Sequence, residues 1–273
     1  MPSLAVADDH AVLLIQNLTR RFGSLAAVDG LNLSVPPSEI FGLLGRNGAG
    51  KTTLIKMLTT LLPPTEGSAR IAGFDLVSQA SSVRRVIGYV PQALSADGEL
   101  TGYENLLVFS KLFDVPRRER TRRIGEALEF MGLSDAADNL VKSYSGGMIR
   151  RLEIAQSTLH RPHVLFLDEP TVGLDPLARH AVWEHVERLK ARYGSTIVLT
   201  THYMEEADRL CERVAILNHG RLVALGAPTE LRAQLGPEAT LDDVFAHYTG
   251  DLQEEAERYV DISRARRTAG RLG

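Results

Sequence analysis

The octapeptide Gly45-Arg46-Asn47-Gly48-Ala49-Gly50-Lys51-Thr52 constrains this chain more than any other segment. It fits the pattern G-x-x-x-x-G-K-[ST], in which glycines let a turn curl its backbone N–H groups around an anion. An apolar run over residues 40–44 precedes it and reads as a buried strand. Residues 51–62 follow, with Leu54, Ile55, Leu58, Leu61 and Leu62 on one helical face ahead of Pro63 and Pro64. Strand, loop and helix in that order make a cradle for clustered phosphates, with the positive end of the helix turned toward them. Lys51 can reach the outer phosphates, and the Thr52 hydroxyl can ligate Mg2+. The segment predicts an α/β core that binds a nucleoside triphosphate and leaves the reaction open.

Further short apolar runs at 12–15, 31–35, 69–72, 87–90, 164–167, 196–200, 214–217 and 222–225 predict strands. The early ones follow each other closely, which suggests an antiparallel region; the later ones are separated by helices, which suggests parallel crossovers. Between 93 and 160 strand signals vanish. Thr101 and Glu104 form a capping box ahead of Leu106, Leu107 and Val108, and Met148, Leu152, Ala155 and Leu159 make a second helical stripe. The expected organisation is an α/β core over 1–92 and 161–235, with a mixed sheet and an antiparallel β subdomain. A helical subdomain is inserted at 93–160. A short helical tail occupies 236–273, opened by Gly236-Pro237 and capped by Thr240 and Asp243. Residues 251–273 are charge-dense and read as a solvated helix fraying into a disordered end.

Composition narrows the partners. With 31 basic and 34 acidic residues the net charge is −3, which argues against a protein that coats nucleic acid. The single cysteine, Cys211, excludes an intrachain disulfide and a thiolate metal site and fits a reduced compartment. No apolar run approaches the ~18 residues that cross a bilayer. The start carries Asp8 and Asp9 without a basic region, so no signal peptide is expected.

A second cluster gathers around Val164-Leu165-Phe166-Leu167-Asp168-Glu169-Pro170. A buried strand ending in two carboxylates is costly unless they work. The first acid can hold Mg2+ through water and the second can act as general base toward an attacking water. His202 ends the next strand at the edge where a parallel sheet binds ligands, and can contact the terminal phosphate. Gln92, where the helical insertion begins, can offer an amide oxygen to the metal. Asp175-Pro176 reads equally as a helix cap and as part of a site. Tyr144-Ser145-Gly146-Gly147-Met148 opens a helix in the insertion. It is a second anion-binding end, and one triphosphate already has its cradle, so it fits the ATP of a second, identical chain.

Taken in order, these segments resemble an ATP-binding cassette (ABC) ATPase across about residues 13–235. The resemblance makes Phe22 the ring that stacks on adenine and assigns the nucleotide to Gly45, Arg46, Asn47, Gly48, Ala49, Gly50, Lys51, Thr52 and Thr53. It implies Thr52, Gln92 and Asp168 around Mg2+, Glu169 and His202 as catalytic residues, Ser145, Gly146 and Gly147 against the opposite chain's ATP, and Asp175 as the link between the two sites. At 144 and 148 the family's commonest form has Leu and Gln, whereas this chain has Tyr144 and Met148, and a thioether cannot donate an amide's hydrogen bonds. The form Tyr-Ser-Gly-Gly-Met followed by Arg150-Arg151-Leu152-Glu153 is similar to ATPase subunits of ABC-2-type exporters, within them the daunorubicin-resistance type. So are Leu58-Thr59-Thr60-Leu61-Leu62, Thr201-His202-Tyr203-Met204-Glu205-Glu206-Ala207 and Leu241-Asp242-Asp243-Val244-Phe245. The resemblance further implies a homodimer bound to a separate transmembrane permease at the cytoplasmic side of the membrane.

Two alternatives stay open on the sequence. An importer subunit usually carries a longer C-terminal β-domain than the residues after Leu235 provide. A soluble ABC ATPase acting on a non-membrane partner usually brings a second cassette, a coiled coil or zinc cysteines. The basic run Arg117-Arg118-Glu119-Arg120 with Arg122-Arg123 reads as a solvated helix face or as a contact for an acidic partner loop or anionic headgroups.

Overall fold

The computed structural model describes residues 10–250. The expectations about the first nine residues and about 251–273 lie outside the described residues. Strand β1 (Leu13–Phe22) pairs antiparallel with β2 (Leu25–Val35) and with β4 (Glu66–Ile71), which pairs with the short β5 (Phe74–Asp75). This four-stranded antiparallel sheet has the order β2-β1-β4-β5. A six-stranded sheet has the order β10-β9-β3-β8-β7-β6, from β3 (Ile40–Leu44), β6 (Ile87–Val90), β7 (Val164–Asp168), β8 (Thr196–Thr201), β9 (Arg213–Asn218) and β10 (Arg221–Gly226). All its pairs are parallel except the closing β9–β10 hairpin.

The central strands β3, β7 and β8 are buried along their whole length because both faces are covered, and they are mostly apolar up to the polar residues at the ends of β7 and β8. Side chains alternate between two cores, as a period of two requires. Leu44, Leu165, Leu167 and Leu199 join the helical side, while Phe41, Leu43, Phe166 and Val198 join the side under the antiparallel sheet. Helix α1 (Lys51–Leu58) packs into the second core through Leu54, Ile55 and Leu58. It stops four residues short of the expected end: the Thr59 hydroxyl donates back to Ile55 O at 2.8 Å and Thr60 takes φ 61. Helix α2 (Ala80–Val86), like β5, was not expected from the sequence pattern.

Between β6 and β7 the chain forms α3 (Gly102–Leu112), α4 (Arg117–Phe130) and α5 (Gly146–Thr158), with two short 3-10 turns between the last two. Both halves of the Thr101–Glu104 capping box are present. On α4, Arg123 pairs with Glu119 at 2.6 Å and Arg122 with Glu126 at 2.6 Å, so two of the five arginines in the basic run are paired along their own helix. Helix α6 (Pro176–Tyr193) is capped by Asp175, and α7 (Met204–Leu210), α8 (Pro228–Ala233) and α9 (Leu241–Thr249) complete the described chain, α9 opening on the expected Thr240–Asp243 box.

The topology gathers chemistry at one edge. Leu44 lies opposite Thr201, Thr200 opposite Asp168, and Leu167 opposite Val90. The carboxyl ends of β3, β6, β7 and β8 are therefore level, and the loops leaving them share the crevice where open parallel sheets bind ligands.

Candidate active site

The loop after β3 delivers its last glycine, Gly50, in a left-handed conformation, φ 107, as the N-cap of α1. A Cβ there would lie 2.4 Å from the Ala27 carbonyl, so no other residue fits without backbone movement. No side chain caps α1 and its first turn holds no acid, so its leading N–H groups point to an external anion. Lys51 is buried, and its Nζ donates to Gly45 O at 2.6 Å and Arg46 O at 3.2 Å. That places its ammonium 3.4 Å from Glu169 Oε1. One pocket is lined by Ala27, Arg46, Asn47, Gly48, Gly50, Lys51, Thr52, Thr53, Gln92 and Glu169.

Asp168, 1 % exposed, accepts from the Thr200 hydroxyl at 2.6 Å. Burial pushes its carboxyl upward, the Thr200 bond lowers it, Glu169 raises it and Lys51 lowers it. Glu169 sits in the left-handed region at φ 49. That conformation costs a side-chain-bearing residue about 1–2 kcal/mol. Its N–H is held by Thr200, through Oγ1 at 2.9 Å and O at 3.2 Å. Strain of this kind, fixed by surrounding bonds, is a mark of functional loops. It turns the Glu169 carboxylate between Lys51 and His202, whose Nδ1 is 3.0 Å from Glu169 Oε2.

Other expected residues stand apart from that pocket. Ser145 caps α5 by accepting from Met148 N at 3.3 Å. Gly147 meets the start of α6: an added Cβ would lie 2.8 Å from the Cβ of Ala178, whose N–H is bonded to Asp175 Oδ1 at 2.9 Å. The glycine thus has a packing reason within one chain, and Asp175 is a helix cap. Phe22, 47 % exposed, ends β1 with the Arg20 guanidinium 4.8 Å above its ring.

Two residues behind the site have roles that the sequence did not show. Thr200 bonds both acids of the pair. Glu206 on α7 is fully buried, and its Oε1 accepts from Thr171 Oγ1 at 2.8 Å and from Trp183 Nε1 at 2.7 Å. It ties the loop after Glu169 to α6 and α7. The available signal was an acid four residues before Leu210 on an otherwise apolar helix face.

A phosphate loop, a level parallel edge and an acid pair facing it define a phosphate-loop nucleoside-triphosphate-binding protein. The family described as ABC transporter matches residues 28–172. The daunorubicin/doxorubicin resistance ATP-binding protein DrrA of Streptomyces peucetius is 47 % identical over 240 residues, covering 88 % of this chain and 71 % of that protein. The Nod factor export ATP-binding protein I of Burkholderia thailandensis is 43 % identical over 247 residues, covering 90 % and 80 %. A solved ATP-binding subunit of an ABC transporter superposes with a TM-score of 0.78 at 31 % identity, covering 87 % of this chain and 99 % of that one. CbiO1 from Clostridium perfringens, part of the transporter complex cbiONQ, gives 0.77 at 26 % identity, covering 83 % and 92 %. The chain belongs to the ABC transporter family and is an ATP-binding subunit whose ATP hydrolysis is coupled to transport. Among the described residues no helix is long and apolar enough to cross a membrane.

Proposed function

We propose that this chain is the ATP-hydrolysing motor of an exporter for drugs or other hydrophobic compounds. It works as a homodimer on the cytoplasmic face of a membrane, beneath a separate permease that supplies the transmembrane path. The observation that carries the reading is the pocket in which the phosphate loop, Gln92 and Glu169 meet. Relatives named for Nod factor export and for drug resistance support an exporter over an importer. Nucleic acid has no part in the scheme.

In this reading residues 1–92 and 161–235 form the nucleotide-binding core. Residues 93–160 form the arm that passes movement to the permease, and 236–273 form the tail. The N–H groups at the start of α1 and Lys51 hold the phosphates, with Gly45 through Thr53 wrapping them and Phe22 stacking on adenine. Thr52, Gln92 and Asp168 offer hydroxyl, amide and carboxylate oxygens, a hard donor set suited to Mg2+ shared with substrate phosphates. When bound, Mg2+ neutralises charge on the phosphate oxygens. Ser145, Gly146 and Gly147 of the second copy close over the nucleotide, and Asp175 connects the two sites.

Glu169 accepts the proton of the attacking water, and His202, at 3.0 Å, fixes the orientation of that carboxylate. General-base catalysis of this kind contributes about 10²–10⁴-fold. Glu169→Gln should therefore bind ATP, lose nearly all turnover and accumulate as an ATP-bound dimer in gel filtration. Full turnover in that variant would remove the assignment.

A further inference from the structure

The loop that carries Gln92 is gripped from behind by α5. Arg150, 2 % exposed, donates from Nη1 to Pro91 O at 2.6 Å and from Nη2 to Gln92 O at 2.7 Å. Glu153, one turn on and equally buried, lies 3.0 Å from Arg150 Nη1. Its other oxygen accepts from the Ser95 backbone N–H and from Ser95 Oγ at 3.1 Å. The helix therefore holds the Gln92 loop at three places, before, at and after Gln92. The same helix begins at Gly146, on the Ser145 cap.

Two buried charges are an expensive way to fill a core, and an apolar pair of equal volume is often as stable. What the apolar pair lacks is geometry. A guanidinium fork can bond two successive carbonyls at once, whereas an ammonium is a point charge that cannot reproduce that fork. Arg150 also sits in the field of Asp168, whose charge, with that of Glu153, favours the guanidinium against its desolvation.

We propose that Arg150 and Glu153 form a latch that joins the Gln92 loop to the helix beginning at Ser145, so that Gln92 meets the nucleotide and that helix is aimed at the second copy in one movement. Arg150 is a positioning residue that acts through Gln92. The inference rests on the roles proposed for Gln92 and Ser145–Gly147 and adds the part that couples them.

The test is a cycle on the full chain, with steady-state ATP turnover and equilibrium binding of a fluorescent ATP analogue as readouts. The variants are Gln92→Ala, Arg150→Lys, the paired Arg150→Met with Glu153→Leu, and the paired change combined with Gln92→Ala. The pair leaves no buried orphan charge, and Gln92 is exposed, so its carbonyl can turn to water. Both latch variants should lower kcat by about 10-fold or more, the range for a catalytic group displaced by a fraction of an ångström. KM and analogue affinity should stay within about threefold, because the phosphate loop is untouched. In the Gln92→Ala background the paired change should lower kcat by less than about twofold further, since residues acting as a unit are non-additive. Losses that multiply in the combined variant, or unchanged turnover in the paired variant, would overturn the latch alone. Full turnover in Gln92→Ala would overturn the role of Gln92 and the latch with it.

Discussion

Replace Glu206 by leucine and two buried donors lose their acceptor. Thr171 Oγ1 and Trp183 Nε1 both bond Glu206 Oε1, at 2.8 and 2.7 Å. An unsatisfied buried donor costs about 1–3 kcal/mol, so Glu206→Leu should lose roughly 2–6 kcal/mol, much of a typical domain's stability. Glu206→Gln keeps the carbonyl oxygen that serves both donors and removes only the charge. Burial pushes the Glu206 carboxyl above its ordinary value of 4.5, against the opposing pull of the nearby Thr201 hydroxyl and the bonds from Trp183 and Thr171. A carboxyl raised in the folded state is a stability loss that grows as pH rises from the unfolded value through the folded one, and is complete above it. Glutamine does not titrate. The Gln variant should therefore match or exceed the wild type at pH 8, and its relative stability should fall as the pH drops toward 5. Urea unfolding followed by far-ultraviolet circular dichroism at the two pH values measures both effects. A Gln variant as unstable as the Leu variant, or a wild-type-to-Gln difference independent of pH, would refute the reasoning.

Gly50→Ala should strain the loop by about 1–3 kcal/mol and weaken ATP affinity tenfold or more, because the new Cβ meets Ala27 O; a fluorescent-nucleotide titration with wild-type affinity would contradict it. Thr101→Ala removes the hydroxyl half of the α3 capping box, the bond from Glu104 N, while the backbone N–H at 101 still donates to Glu104; it should lower stability by about 1 kcal/mol in thermal melts while leaving ATP binding unchanged. Thr200→Val removes a hydrogen bond to a buried carboxylate and should cost about 1.5–3 kcal/mol, with Thr200→Ser restoring stability and turnover; a silent valine variant would deny Thr200 its place between the acids.

Strands β3 and β6 were legible to the residue, because burial on both faces leaves an unbroken apolar run with sharp ends. The capping boxes at Thr101 and Thr240 were legible because their bonds are local. Strand β1 was read only as far as Ile15, since Asn17 at φ 49 and the shifts in register hide its alternation; the strand nevertheless continues to Phe22. Helix α2 was not read because only Val83 of its seven residues is buried, which leaves no stripe. At the site, residue type announced the phosphate loop and the acid pair. Arg150, Glu153, Thr200 and Glu206 stayed hidden. On paper the first two resemble a charged helix surface and the third an ordinary strand threonine, and their burial is created by segments far away in the chain.

Trp183 is the only tryptophan in the chain, and it is 1 % exposed. Its indole N–H is committed to Glu206, with the Arg209 guanidinium 5.3 Å from its ring and His180 at 4.8 Å. Ultraviolet emission from this protein therefore originates, beyond the tyrosines, at a single joint that shares its acceptor, Glu206 Oε1, with Thr171 of the loop after Glu169. A shift of that loop that moves Thr171 or Glu206 would change the polarity and quenching around the indole. The molecule carries its own optical gauge, which stopped-flow fluorescence can read through a turnover without a dye or an engineered label.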